Sequence, residues 1–266
     1  MRNLFKIWQR LTDPVFFRKR LRIIGRSVRE PVEVGSMNSI KELGHFQRAV
    51  VFVAHPDDEV FCSGLICHLV DAGTTVDMLC LTRGEGGPTG GLKREELGAA
   101  REKEMWKSCD VLGVNELTFL GHIDPVAKEF RVYAPDVSET DLAKQVMPYL
   151  KTADLVISHG SAGEYWHPAH LLVHGAVRKA VRRLGNCQWM TFLANRADHE
   201  IPKLVNMDDP ADLTLDVSDL HRRRMKALNC HASQLGLFGR FAEGTPEDFV
   251  EKTAIETYCV KDPEIG

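Results

Sequence analysis

From residue 49 to residue 260 the chain alternates short apolar runs with longer segments of helical pattern, and nothing else in it restricts the fold so strongly. The runs 49–54, 75–82, 117–120, 155–158 and 188–194 are too short for buried helices, so each is expected to be a strand. The segments 59–72, 93–112, 141–150 and 168–184 carry helical patterns. Gly73, Gly113 and Gly185 close three of them, and Pro168 sits in the first turn of the last. A strand at 213–217, a helix at 218–234 with Ser218 as N-cap, and a strand at 255–260 complete the series. Strands alternating with helices imply an α/β domain, a mainly parallel sheet with helices on both faces. At 266 residues the chain suits one such domain better than two small ones.

In sheets of this kind ligands bind beyond the carboxyl ends of the strands. His55 to Glu59 follow the first strand, Arg83 to Gly87 the second, Gly121 to Asp124 the third, and His159 to His170 the fourth. The first of these loops is the most demanding. In VVFVAHPDDEV (50–60) a buried-looking strand ends in one imidazole and three carboxylates. Such a cluster is costly unless a positive charge sits among it, and a divalent metal ion would supply that charge. His55 and Asp58 can face one point across the turn, with Pro56 fixing φ between them. A hydrolytic site commonly adds a third ligand and keeps an open position for water. EYWHPAHLLVH (164–174) offers His167, His170 and His174. His170 lies in the first helical turn, nearest the loop edge, and His174 one turn deeper reads as packing. Asp57 is left beside the site to take a proton from water. His167, charged by its acidic surroundings, could return one to a leaving amine. Singly, each of these residues has an ordinary structural explanation. A strand-end His is usually structural, and Asp57 or Glu59 alone would be a helix-start carboxylate. The two motifs together are far more specific.

Bulk composition removes other classes. No apolar run approaches the roughly 20 residues of a membrane helix, and a net charge of −3 argues against a nucleic-acid binder. The loop RGEGGPTGG (83–91) lacks both G-x-G-x-x-G and a Walker lysine, which argues against a nucleotide cradle. Seven scattered cysteines without a C-x-x-C suggest reduced thiols in a reducing compartment. The charge is uneven: residues 1–30 hold nine Lys or Arg against two acidic residues, interleaved with apolar side chains, whereas the remainder holds 25 against 35. A basic amphipathic extension of this kind could lie on an anionic membrane surface. Vesicle co-sedimentation of the full chain against one lacking residues 1–30 tests this, and equal binding by both would remove the idea.

AHPDDE, LTRGEGG, GAAREKE, LGVNELTFLG, HPAH and the late KALNCHASQ together resemble the LmbE/PIG-L family of metal-dependent N-acetylglucosaminyl deacetylases, over roughly residues 47 to 260. The resemblance implies a Rossmann-like α/β fold, assigned to residues 46–266; the basic extension, residues 1–45, lies outside it. It implies Zn2+, with Fe2+ as a cellular alternative, held by His55, Asp58 and His170. Asp57 would be the general base and His167 the general acid or oxyanion stabiliser. By motif position it also suggests Arg101 and Asp124 as sugar contacts, and Tyr165 as a mobile tyrosine that polarises the amide carbonyl. Arg101 could instead form a helix salt bridge with Glu104 or Glu95. Ala169 departs from the commoner HPDH, so a contact supporting the metal ligands is expected to be missing. The substrate implied is an N-acetylated sugar in a glycoconjugate, and the setting cytoplasmic or membrane-peripheral. The rival readings are an amidase on a non-sugar amide, an inert sugar-binding module, and a two-metal phosphoesterase, which would want more bridging carboxylates.

Overall fold

The computed structural model describes residues 46–128, 131–196, 198–201 and 203–261. The basic extension, and with it the expected membrane contact, lies outside the described residues.

Five parallel strands form most of the sheet: β1 (Arg48–Val53), β2 (Thr75–Thr82), β3 (Glu116–His122), β4 (Leu155–Ser158) and β5 (Gln188–Phe192). The short β6 (Ala194–Asn195) and β7 (Asn206–Pro210) pair with each other, while β8 (Leu213–Asp216) and β9 (Ile255–Lys261) join the main sheet. The order is β3-β2-β1-β4-β5-β9-β8, with β9 antiparallel to both neighbours. Period-two alternation sorts β1 between two cores. Val51 and Val53 enter one cluster, with Leu65, Met78, Met105 and Phe249. Val50, Phe52 and Ala54 enter the other, with Leu142, Val146, Val173 and Trp189. The second face is covered by α3 (Glu139–Leu150) and α4 (Pro168–Leu184). The first is covered by α1 (Ser63–Asp71), α2 (Arg94–Leu112), α5 (His221–Cys230), α6 (Leu235–Ala242) and α7 (Pro246–Lys252). No helix among the described residues is long and apolar enough to cross a membrane. All seven cysteines are free.

This strand order positions the site. From β1 the chain proceeds to β2 on one side, whereas β4 docks on the other, pairing Ala49 with Leu155 and Phe52 with Ser158. The carboxyl ends of β1 and β4 therefore flank the switch point at which such sheets open a crevice.

Four expectations need correction. The helix at 59–72 is a 3-10 turn, Asp58–Cys62, followed by α1, because Asp57 is left-handed (φ 100) and side-chain bonds rather than helix caps organise the turn. The strand at 188–194 breaks at Leu193, whose φ of 54 sends Ala194 to pair with β7. Ser218 does not cap a helix: it lies inside a 3-10 turn, and its N–H donates to Asp216 at 3.0 Å. The helix expected at 218–234 ends at Cys230, where His231 turns inward to Glu59, and α6 begins at Leu235.

Candidate active site

The site is built on the turn after β1. Asp58 folds back so that its Oδ2 accepts the His55 N–H at 2.8 Å. This brings two imidazole nitrogens and the two oxygens of one carboxylate to similar separations. His55 Nδ1 lies 3.3 Å from Asp58 Oδ2 and 3.3 Å from His170 Nε2, and His170 Nε2 lies 3.4 Å from Asp58 Oδ1. A tetrahedral ion with bonds of about 2.0–2.1 Å has ligand–ligand edges of about 3.3–3.4 Å. Two imidazole nitrogens and a carboxylate at these distances could hold a divalent metal. Of the ring nitrogens around this set, the buried His167 Nδ1 has no hydrogen-bond partner, and His55 Nε2 has only Asp124 Oδ1 at 3.4 Å. Two overlapping groups, His55–His167–His170 and Asp58–His159–His170, also have ligand-like spacing. However, His159 Nε2 already accepts the Ala54 N–H at 3.0 Å, so its lone pair is occupied.

One buried carboxylate orients both His170 and His159. His170 Nδ1 meets Glu164 Oε2 at 2.6 Å, and His159 Nδ1 meets the same oxygen at 2.8 Å. Glu164 is fully buried and held in turn by the Gly160 N–H and the Asn206 amide. The sequence reading did not find Glu164, His159 or Asn206. The contact thought lost with Ala169 has no bearing on His170: Ala169 packs in the core, and Glu164 orients the imidazole instead. A carboxylate behind a ligating histidine fixes its tautomer and raises its basicity. Glu164→Gln is therefore expected to weaken metal affinity about 10–100-fold, measured by competition with a chromophoric chelator.

Burial would raise Asp58, but the His170, His159 and His55 imidazoles outweigh it and hold the carboxyl well below its usual range. For His55 burial pulls downward, yet hydrogen bonds to Asp124 and Asp58 raise it to about 10: without a cation, a proton holds that position. Burial lowers His170 against the pull of Asp58, so its Nε2 keeps a lone pair.

Asp57, Arg101, Asp124, Tyr165 and His167 line one cleft with His55 and Asp58, and His170 lies fully buried behind them. Burial pushes Asp57 up to about 7, opposed chiefly by the Arg101 guanidinium, whose Nη2 lies 3.1 Å from Asp57 Oδ2. Arg101 makes no pair with Glu104 or Glu95 of its own helix. It crosses to the Gly84 and Pro56 carbonyls and fixes the turn that carries Asp57. Gly84 is required there, since its φ is 67 and a Cβ would lie 2.2 Å from the guanidinium. Asp124 Oδ1 sits 3.4 Å from His55 Nε2 while its Oδ2 accepts the Gly86 N–H, so it steadies His55 as well as lining the cleft. Tyr165 stands edge-on to His167 and His170, and burial keeps its phenol protonated. His167 is not charged by acidic neighbours as expected. Burial, then the His170 and His55 imidazoles, hold it strongly neutral. The opposite wall, Phe61, Leu237, Phe238 and Phe241, is apolar and comes largely from α6, an element the sequence reading did not resolve. His174 packs on Trp189, as expected.

Strand order, switch-point crevice and converging histidines define a Rossmann-like α/β protein with a candidate metal centre at the strand ends. The chain belongs to the LmbE/PIG-L family: the family described as "PIG-L: GlcNAc-PI de-N-acetylase" matches residues 50–181. It is 28% identical over 232 residues to the probable N-acetyl-alpha-D-glucosaminyl L-malate deacetylase 2 of Bacillus anthracis, covering 81% of this chain and 97% of that protein. Two solved structures share the fold. The N,N'-diacetylchitobiose deacetylase from Pyrococcus horikoshii has a TM-score of 0.55 and 20% identity, over 84% of this chain and 87% of that one. GalB, the 4-carboxy-2-hydroxymuconate hydratase from Pseudomonas putida KT2440, has a TM-score of 0.60 and 17% identity, over 83% and 98%. At these identities the likeness is one of fold, and the fold alone serves more than one reaction.

Proposed function

We propose that this protein is a metal-dependent amide hydrolase that removes the N-acetyl group from an N-acetylglucosamine-type sugar in a glycoconjugate and releases acetate. The observation that carries the reading is the close approach of His55, Asp58 and His170, with a second carboxylate, Asp57, outside that set in the same cleft. Family membership and the Bacillus relative's N-acetylglucosaminyl substrate support the substrate class. His55, Asp58 and His170 would hold the ion, proposed to be zinc with iron(II) as the alternative. Once bound, it supplies Lewis acidity that polarises the amide carbonyl and makes a water acidic enough to be deprotonated near neutrality.

The chain's own residues account for the remaining steps. Asp57, with its pKa near 7, takes the proton from the attacking water. A C–O bond forms as the carbonyl oxygen gains charge. His167, neutral and carrying an N–H, donates to that oxygen, with the Tyr165 phenol as a second donor. When the C–N bond breaks, the departing nitrogen needs a proton. His167 has none to spare at neutral pH, so protonated Asp57 returns the one it took. Asp124, and Arg101 where its guanidinium faces the cleft, are left for the sugar hydroxyls.

A substrate panel tests the reading. Acetate release from N-acetylglucosamine glycosides, dependent on added Zn2+ or Fe2+, is the expected result. Activity confined to non-sugar N-acetyl amides would replace the substrate class. Turnover of neither by metal-loaded protein would remove the hydrolase reading.

A further inference from the structure

KALNCHASQ lies outside the matched span 50–181, and the mechanism above does not use it. Its last residues join three walls of the cleft. His231 bonds Glu59 in the turn after β1. Ser233 donates to Glu104 of α2 through its N–H at 2.9 Å and its hydroxyl at 2.6 Å. The Gln234 amide donates to the Pro88 carbonyl of the Gly-rich loop at 2.9 Å.

The first contact bears on the base. Glu59 and His231 are both fully buried. Glu59 Oε1 accepts from His231 Nε2 and, at 2.6 Å, from the Ser108 hydroxyl. Its other oxygen, Oε2, accepts the backbone N–H of Asp57 at 3.0 Å. Asp57 has φ 100, where a residue with a side chain is strained. Such a conformation costs on the order of 1–3 kcal/mol and persists only where its surroundings over-determine it. Arg101 restrains the side chain of Asp57 from one flank, and Glu59 restrains its backbone.

We infer that His231 is a positioning residue for Asp57: bonded to Glu59, it fixes the carboxylate that holds the strained Asp57 backbone and so aims the base at the reacting centre. The link is short and entirely buried, His231 to Glu59 to the Asp57 N–H. Without His231, a buried carboxylate loses its charged partner. Held then only by the Ser108 hydroxyl and the Asp57 N–H, it turns toward another donor, which loosens its hold on Asp57. His231 Nε2 points at Glu59, so this effect is separate from the proposed metal ligands His55, Asp58 and His170. The inference rests on the deacetylase reading in so far as Asp57 is the base.

The test compares His231→Ala, His231→Gln and Ser233→Ala with the wild type in the metal-loaded protein. Each is assayed for kcat, KM and bound metal, and crystal structures of wild type and His231→Ala are determined. A misplaced base costs about 10²-fold in rate. For His231→Ala the expected result is a kcat loss of that order, with KM and metal content near wild type and Asp57 relaxed out of positive φ. His231→Gln, whose amide N–H can reach the place of Nε2–H, should recover most of the rate. Ser233→Ala, which loosens the same segment without touching Glu59, should keep it. Unchanged kcat in His231→Ala overturns the inference, as does metal loss in step with activity or an undisturbed Asp57 backbone. If His231→Ala does not fold, Glu59→Gln takes its place. A kcat loss in Glu59→Gln that His231→Gln lacks supports the inference, and wild-type kcat in both overturns it. A metal-loaded wild type inactive on every N-acetyl sugar fails the deacetylase reading, and the Asp57 backbone in the two crystal structures then decides the inference.

Discussion

Replacing Asp57 with Asn is expected to lower kcat for acetate release by about 10²–10⁴-fold, the usual contribution of a positioned acid–base group, while bound metal stays near that of the wild type. The structure gives reasons for both halves of this result. Asp57 is outside the His55–Asp58–His170 triangle, so its carboxylate is not needed to hold an ion. Asn keeps the shape and can still meet the Arg101 guanidinium through its carbonyl oxygen, so the turn stays folded. What it lacks is basicity. If Asp57 both takes the water proton and returns it to the leaving nitrogen, no other group takes over, since burial and the neighbouring imidazoles oppose uptake of a proton by His167, and Tyr165 keeps its own. The measurement is steady-state kinetics beside metal analysis of the same preparations. Activity within threefold of wild type would remove Asp57 from the base role. Loss of metal together with activity would show that the carboxylate belongs to the metal centre.

The sheet, its parallel core and the convergence of four loops were legible in the sequence, because short apolar runs separated by helical patterns leave a parallel α/β sheet as the natural arrangement. The proposed ligands were legible because HPDD and HPAH concentrate rare, costly residues at strand ends. What escaped notice has a common cause: it depends on contacts between residues far apart in the chain. Glu164 looks like an unremarkable loop acid until folding sets it between His159 and His170. Glu59 looks like a helix-start carboxylate, and His231 like a residue within a helix, until each buries against the other 172 positions away. The helix break at His231 could not be read from local propensity, because a buried ion pair, rather than a Gly or Pro, ends the helix. The reversal at His167 has the same origin. Acidic surroundings were expected to charge the ring, but it is buried against the His55 and His170 imidazoles and the Tyr165 phenol ring.

Asp58→Ala is expected to abolish stoichiometric metal binding, and with it the stabilisation that the ion confers on the wild type. Asp58 is the single anion of the proposed ligand triangle, and two neutral imidazoles left in its place would bind a divalent cation weakly and without charge compensation. The substitution also removes the acceptor that folds the turn back, the Asp58 Oδ2 bond to the His55 N–H, so His55 loses its fixed direction at the same time. Thermal melts with and without metal provide a readout that needs no substrate. At 100 times its dissociation constant, an ion bound only by the native state adds about 2.7 kcal/mol of stability, and each kcal/mol moves the midpoint of a domain this size by about 2–4 °C. Wild type should therefore melt several degrees higher with zinc than after chelation, and Asp58→Ala at one temperature under both conditions. The sign for the metal-free proteins is also informative. Chelated wild type keeps Asp58 buried against the His170, His159 and His55 imidazoles, so its carboxylate remains partnered and the fold should survive. If instead the zinc-dependent shift persists in Asp58→Ala, the ion is bound elsewhere. The overlapping set His55, His167 and His170 would then be the first alternative to test.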